Sequence, residues 1–354
     1  MQKNRGKYFP IIIFLLTAAL IGSILITSCM GAVKIPIFDT YKILCHHLLN
    51  ITLPGTESLL GSSAESIVWS IRFPRILLGS VVGAGLSLCG VAMQATVQNP
   101  MAEPYILGIS SGASLFATFS ILLGFGGISF FQISSVSLWS FIGALLASAA
   151  VIFLASAGSK ITSTKLILSG SIINALCSAF SNFIITIAAD AEGMMTLKFW
   201  TMGSLAKANW DNVWFPIIVV AALWILYQFL FRPLNVLLMG DEAAITLGVN
   251  LNFYRKVFLA SAALVTGILV AACGVIGFVG LIVPHVVRAV AGADHRRLVP
   301  ASALCGALFL LWADALARTM IPNTELPIGI LTSVVGAPVF VYILLKKSYH
   351  FKQS

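Results

Sequence analysis

GDEAAITLGVN, Gly240 to Asn250, decides the fold, because it is a piece that lipid would reject inside a chain that lipid would otherwise accept. Asp241 and Glu242 stand side by side, followed by the small and aliphatic residues Ala243, Ala244, Ile245 and Leu247, and Gly248 closes the run. Arg232 lies before it, and Arg255 and Lys256 after it. The pattern reads as a short amphipathic helix on the cytoplasmic face, shaped to sit in a groove on another protein. Everything on either side reads as membrane helix.

Composition supports that reading. Of 354 residues, 59% are hydrophobic and 9% charged, whereas a soluble domain carries about 25% charged residues. A spanning helix needs about 20 mostly apolar residues, since it must satisfy its own backbone and cross the hydrocarbon core. The chain therefore has room for about ten such helices and for no soluble domain of useful size. Residues 1–354 read as one transmembrane unit, an all-α polytopic bundle. The net charge of +9 is read through its distribution, as membrane topology and not as a nucleic-acid surface. Cys29, Cys45, Cys89, Cys177, Cys273 and Cys305 are scattered through apolar runs without a CxxC pair. They read as packing residues, neither disulfides nor metal ligands.

The first span, Tyr8 to Val33, follows Lys3, Arg5 and Lys7 and is too long for a secretory h-region. Residues 34–66 read as an external loop. A long second helix runs from about Glu65 to Val97, with Pro74 tolerable near its start. Gly79 and Gly83 set a GxxxG spacing that permits close helix approach, within the chain or between subunits. After the turn Gln98–Pro104, helices are expected at about 105–124, 136–158 and 165–188. Asp190 to Trp210 is too polar for a span and holds one short helix around Met194–Gly203. Further helices follow at about 212–231, 256–273, 276–292, 298–320 and 327–345.

Ten spans put both termini on one side. On this layout 14 of the 21 Lys and Arg fall on the side of the termini and 7 on the other, which places both ends in the cytoplasm. Arg72 and Arg75 lie three apart at the outer start of the second helix, and Arg318 ends the ninth with Asp314 four residues earlier. From spacing alone these arginines either anchor helix ends at headgroups or dock an acidic partner, for which their planar fork is suited.

Six stretches together carry a resemblance. They are RFPR (72–75), QNPMAEPYILGISSGAS (98–114), FWTMGSL (199–205), GDEAAITLGV (240–249), GVIGFVGLIVPHVVR (274–288) and ADALAR with ELPIGI (313–330). In this order they resemble the permease family of ABC importers for iron-siderophores, haem and cobalamin, over nearly all of the chain beyond about residue 65. The resemblance implies ten helices per subunit, pairing with a second permease, identical or paralogous, around a pathway on the dimer axis. It implies that Arg72, Arg75 and Arg318 meet acidic residues of an extracytoplasmic binding protein. Gly240, Asp241, Glu242, Ala243, Ala244, Leu247 and Gly248 would form the coupling segment that docks into an ATP-binding subunit. The segment around 190–210, with Trp200, Met202, Gly203 and Ser204, would line the external gate. Phe73 departs from the family's more usual leucine, a conservative change.

The chain has no GxxxxGK[ST] loop, so ATP and Mg are expected on a separate ATPase and no cofactor on this chain; the resemblance implies two such ATP-binding subunits. The implied role is inward movement of an iron chelate, foremost a ferric siderophore, with haem or cobalamin as alternatives. Ser169, Gly170, Ser171, Asn174 and Ser178 on the fifth helix suit either a pathway wall or interhelical packing. An ion-coupled transporter would use Asp314, His285 and Arg288 as an intramembrane relay, but all lie near expected helix ends. His285 with Asp314 is also the best pair for an intramembrane enzyme, and no HExxH or GxSxG motif supports one.

Overall fold

The computed structural model describes residues 8–124, 134–157, 161–188, 190–240, 246–247, 249–322 and 324–346. The elements in order are α1 (Phe9–Cys29), α2 (Ile37–Leu49), α3 (Ser63–Val97), α4 (Ile109–Leu122), α5 (Ser135–Ser156), α6 (Ser163–Ala188) and α7 (Ala191–Thr201). They continue with α8 (Trp210–Phe229), α9 (Phe231–Met239), α10 (Leu251–Cys273), α11 (Val279–Ala291), α12 (His295–Thr319) and α13 (Ile328–Lys346). Among the described residues, seven helices (α1, α3, α5, α6, α8, α10 and α12) are long and apolar enough to cross a membrane, and α4, α11 and α13 are shorter apolar helices. Together they supply the ten spans of an all-α membrane bundle.

Helix α3 is the axis of the subunit. In its most apolar window 83% of the residues are buried, against 11% for α6. It packs against α12, α10, α8 and α11. Small residues make this possible: a Cβ on Gly83 would lie 2.1 Å from the Gly306 carbonyl oxygen of α12. The GxxxG spacing thus serves packing inside the chain, where backbones approach without side chains between them. Helices α4, α5 and α6 form a second packed group beside this core. All six cysteines are free thiols, as their apolar settings led us to expect.

Three local departures from the sequence reading have physical causes. The external loop at 34–66 contains α2, whose buried Thr40, Ile43 and Leu44 share one helical face. The span expected at about 212–231 ends at Phe229, and the chain stays helical past Arg232 and Pro233. A new helix, α9, starts at Phe231, and Pro233 falls in its first turn, where no intrahelical N–H bond is needed. Third, α3 enters through a wide π-helical stretch, Ser66–Arg72, in which the Phe73 N–H bonds to the Val68 carbonyl. The next bond in that register would run from residue 74 to Trp69, and Pro74 has no N–H to make it. The Trp210 indole donates to the Trp69 carbonyl instead, at 2.9 Å. Phe73 is buried between Trp69 and Trp210, with ring centroids at 5.5 and 5.8 Å.

Candidate functional site

Arg72, Arg75 and Arg318 do come together, but as a buried knot, not as open cations. Their exposures are 5%, 7% and 8%. Arg72 donates to the carbonyls of Ser28 (2.9 Å), Cys29 (3.0 Å) and Val33, closing off the end of α1. Those last carbonyls of a helix have no internal partner and carry the negative end of its dipole, so a guanidinium suits them. Arg75 donates from Nε to Asp314 Oδ1 at 3.0 Å and from Nη1 to Glu325 Oε2 at 2.8 Å, with Nη2 2.9 Å from Asp314 Oδ1. Arg318 Nε lies 3.0 Å from Asp314 Oδ2, an ion pair at i, i+4 spacing without the alignment of a full hydrogen bond. Arg75 and Arg318 therefore share Asp314, Arg75 alone also reaches Glu325, Arg72 rests on backbone carbonyls, and Arg318 Nη2 has no acceptor among the described residues. The Asp314–Arg318 pair was readable from spacing. The rest joins α1, α3, α12 and the segment before α13, positions up to 288 residues apart, which no local pattern reveals.

The segment proposed for the gate is a seam. Asp190 caps α7 by accepting the N–H groups of Glu192 and Gly193, both at 3.1 Å. This starts the short helix at Ala191, a turn earlier than expected. Beyond its end, the Ser204 N–H donates to the Cys273 carbonyl (2.8 Å), and Ile328 and Gly329 donate to the carbonyls of Gly203 (3.2 Å) and Met202 (3.0 Å). Gly274 faces the Trp200 carbonyl so closely that a Cβ there would stand 2.2 Å from its oxygen. Its φ of +74° is one that side chains disfavour. Trp200, Met202, Gly203 and Ser204 are thus stitched to the end of α10 and the start of α13.

At the opposite end, α9 leads directly into the stretch that begins at Gly240. Gly240 takes a φ of +93°, and Leu247 is exposed. Asp241, Glu242, Ala243, Ala244 and Gly248 lie outside the described residues. Helix α9 is pinned by Asn235. Its amide oxygen accepts from the His295 N–H (2.8 Å) and contacts His295 Nδ1 (2.7 Å), and its amide nitrogen donates to Asp294 Oδ1 (2.9 Å). Asp294 also caps α12. Burial works to raise the Asp294 carboxyl, but Asn235, the Arg296 N–H and nearby charge together hold it below its usual range.

Between α4, α6 and α7 lies a cavity of about 660 Å³. Of the fifth-span residues named above, Asn174 and Ser178 line it. Gly170 instead packs on the Ile106 carbonyl, and the Ser171 hydroxyl turns back to Ile167. The lining residues of α4 and Lys198 of α7 escaped the sequence reading, because hydroxyls on an apolar helix carry no signal until a second helix faces them.

Ten apolar helices around a buried core, with a polar segment at one end and an open cavity lined in part by hydroxyls and amides, are the architecture of a polytopic membrane bundle. The model of the FecCD transport family matches residues 17–346, so the chain belongs to that family. It is 40% identical over 295 residues to the hemin transport system permease protein HmuU of Yersinia pestis, covering 82% of this chain and 88% of the relative. It is 38% identical over 290 residues to the vitamin B12 import system permease protein BtuC of Salmonella paratyphi A, covering 82% and 86%. Among solved structures it resembles a chain provisionally described as a metal-chelate type ABC transporter in an inward-facing conformation. The TM-score is 0.78 at 30% identity, over 96% of this chain and all of the other. This is a transport component of a multi-subunit ABC importer.

Proposed function

We propose that this chain is the permease subunit of a binding-protein-dependent importer that carries a metal chelate inward across a bacterial cytoplasmic membrane, with both termini cytoplasmic. The observation that carries the reading is the family match over residues 17–346. A ferric siderophore is the cargo inferred first. The relatives named for hemin and vitamin B12 favour haem or cobalamin as a second reading of equal standing. In all three a metal sits in a large organic ligand.

In this reading two permease copies, identical or paralogous, enclose the pathway, and two separate ATP-binding subunits hydrolyse ATP with Mg. The Gly240–Asn250 stretch docks into the ATPase. Its movement passes through α9 and the Asn235–Asp294 contact into α12, a single helix of 25 residues about 37 Å long. The far end of α12 carries Asp314 and Arg318, so one rigid element joins the ATPase side to the external knot. Packed cores switch between discrete arrangements, so this coupling is a rocking of the bundle. An extracytoplasmic binding protein meets the knot with its acidic residues. Support comes from the excess guanidinium there and from the exposed Glu325, a carboxylate that an incoming one can replace on Arg75.

The test is uptake of labelled ferric siderophores, haem and cobalamin in cells with and without this chain, the native binding protein and ATPase being retained. Loss of one chelate's uptake, sensitive to ATP depletion and insensitive to a protonophore alone, is expected. Loss that follows the proton gradient would overturn the reading in favour of an ion-coupled transporter. Unchanged uptake of every chelate would overturn the cargo class.

A further inference from the structure

The cavity between α4, α6 and α7 has more polar groups than its walls need. Polar side chains inside an apolar bundle are expected to satisfy one another, and two pairs do. The Ser111 hydroxyl donates to Asn174 Oδ1 at 2.5 Å, and the Thr118 and Ser181 hydroxyls are 2.9 Å apart. Both pairs step by seven residues, two helical turns, so they clamp one face of α4 to one face of α6. Ser110, Ser114, Ser178 and Asn182 line the same cavity. Among the described residues their side chains have no hydrogen-bond partner within the chain. Ser110 and Ser114 are half-buried and Ser178 and Asn182 exposed, so these four groups stand open to whatever occupies the cavity.

The second observation is charge. Lys198 of α7 lines the cavity with an exposed side chain, and no carboxylate lines it. Among the described residues its ammonium is in no ion pair. Beside it stand Met194 and Leu197, which make one side of the cavity apolar. A wall with unspent hydroxyl and amide donors, one unpaired cation and an apolar side suits a particular chemistry: an organic ligand with a greasy periphery and clustered anionic oxygens.

We propose that this cavity is a contact site for an anionic, oxygen-rich chelate, with Lys198 taking its carboxylate or catecholate charge and Ser114, Ser178 and Asn182 donating to its oxygens. The proposal rests on the chelate-importer reading and narrows its cargo by charge. An uncharged chelate gains little from the lysine, and a cationic one is repelled.

The test uses the complete importer, this chain with its ATPase and binding protein, in proteoliposomes. Uptake rates are measured with saturating loaded binding protein, so that the binding protein's own affinity does not set the result. The probes are haemin, with its two carboxylates, a trianionic ferric tris-catecholate, an uncharged ferric trihydroxamate and cyanocobalamin. The expected result is uptake of at least one anionic probe, lowered about tenfold by Lys198→Gln, in line with loss of one charge-assisted contact. Lys198→Glu should lower it further, and Lys198→Arg, which keeps the charge, should restore it. Rescue by arginine separates a charge role from a packing role. Anionic uptake unchanged in Lys198→Gln and Lys198→Glu overturns the proposal, as does a wild type that carries only uncharged probes. Both results leave the importer reading standing. Failure of all four probes overturns the two together.

Discussion

Asp314→Asn is expected to destabilise the subunit far more than Glu325→Gln, although both remove one carboxylate from Arg75. Asp314 is 2% exposed and stands within 3.0 Å of guanidinium nitrogens of both Arg75 and Arg318. At about 3 Å and an effective dielectric constant of about 20, each contact carries roughly 5 kcal/mol of attraction before desolvation. Desolvation of three ions offsets most of that, so forming the knot contributes little net stability. Removing its centre is not the reverse of forming it, because two arginines are left buried and facing each other. Loss of one partner of a buried pair costs about 3–5 kcal/mol, and that is the expectation for Asp314→Asn. The Glu325 side chain is 52% exposed. Exposed pairs contribute about 0–1 kcal/mol, and Glu325→Gln should cost no more. The assay is equilibrium unfolding of the purified subunit in mixed micelles, with a double-mutant cycle between Asp314→Asn and Arg75→Leu. Strong coupling within the cycle is expected. A cost below about 1 kcal/mol for Asp314→Asn, or additive losses in the cycle, would refute the reasoning.

Other substitutions probe other joints. Trp210→Phe leaves the Trp69 carbonyl without its donor and should cost about 1–3 kcal/mol. Pro74→Ala restores an N–H there, so the double variant should recover part of the loss in the same unfolding assay; no recovery would count against the π-register explanation. Gly274→Ala places a Cβ 2.2 Å from the Trp200 carbonyl oxygen and should loosen the seam, read as faster amide exchange at 202–204 and 328–329. Exchange at the wild-type rate would show that the seam tolerates a side chain. Asn235→Ala should reduce chelate uptake per ATP hydrolysed without abolishing hydrolysis, and an unchanged ratio would remove α9 from the coupling route. The same variant carries a pH signature. Asn235 holds Asp294 below its usual 3.8, so its stabilising contribution is present above that pH and lost as pH falls below it. The stability gap between wild type and Asn235→Ala should therefore narrow in acid and stay constant from neutral to alkaline pH.

Much of the bundle was legible because spanning helices are set by local apolar length. The second span was read as 65–97 and is Ser63–Val97; the ninth was read as 298–320 and is His295–Thr319. The Asp314–Arg318 contact followed from i, i+4 spacing. Helix α2 was missed because a short amphipathic helix in a polar loop has neither the length nor the hydropathy of a span. The burial of Arg72 was missed for a different reason. Its acceptors are the Ser28, Cys29 and Val33 carbonyls, some 40 residues earlier in the chain, and backbone acceptors leave no mark on a sequence. The cavity was half legible. Asn174 and Ser178 stood out on the fifth span, but Ser114 and Lys198 acquire meaning only when α4 and α7 are placed against it.

ATP-driven uptake in a reconstituted system tests the central claim most directly. The chain is placed in proteoliposomes with its ATPase, with ATP enclosed on the ATPase side and loaded binding protein with labelled chelate on the other. Accumulation that requires hydrolysable ATP, requires the binding protein and survives collapse of the proton gradient is the predicted result. Accumulation without ATP, or accumulation abolished by collapsing that gradient while ATP is present, would contradict it.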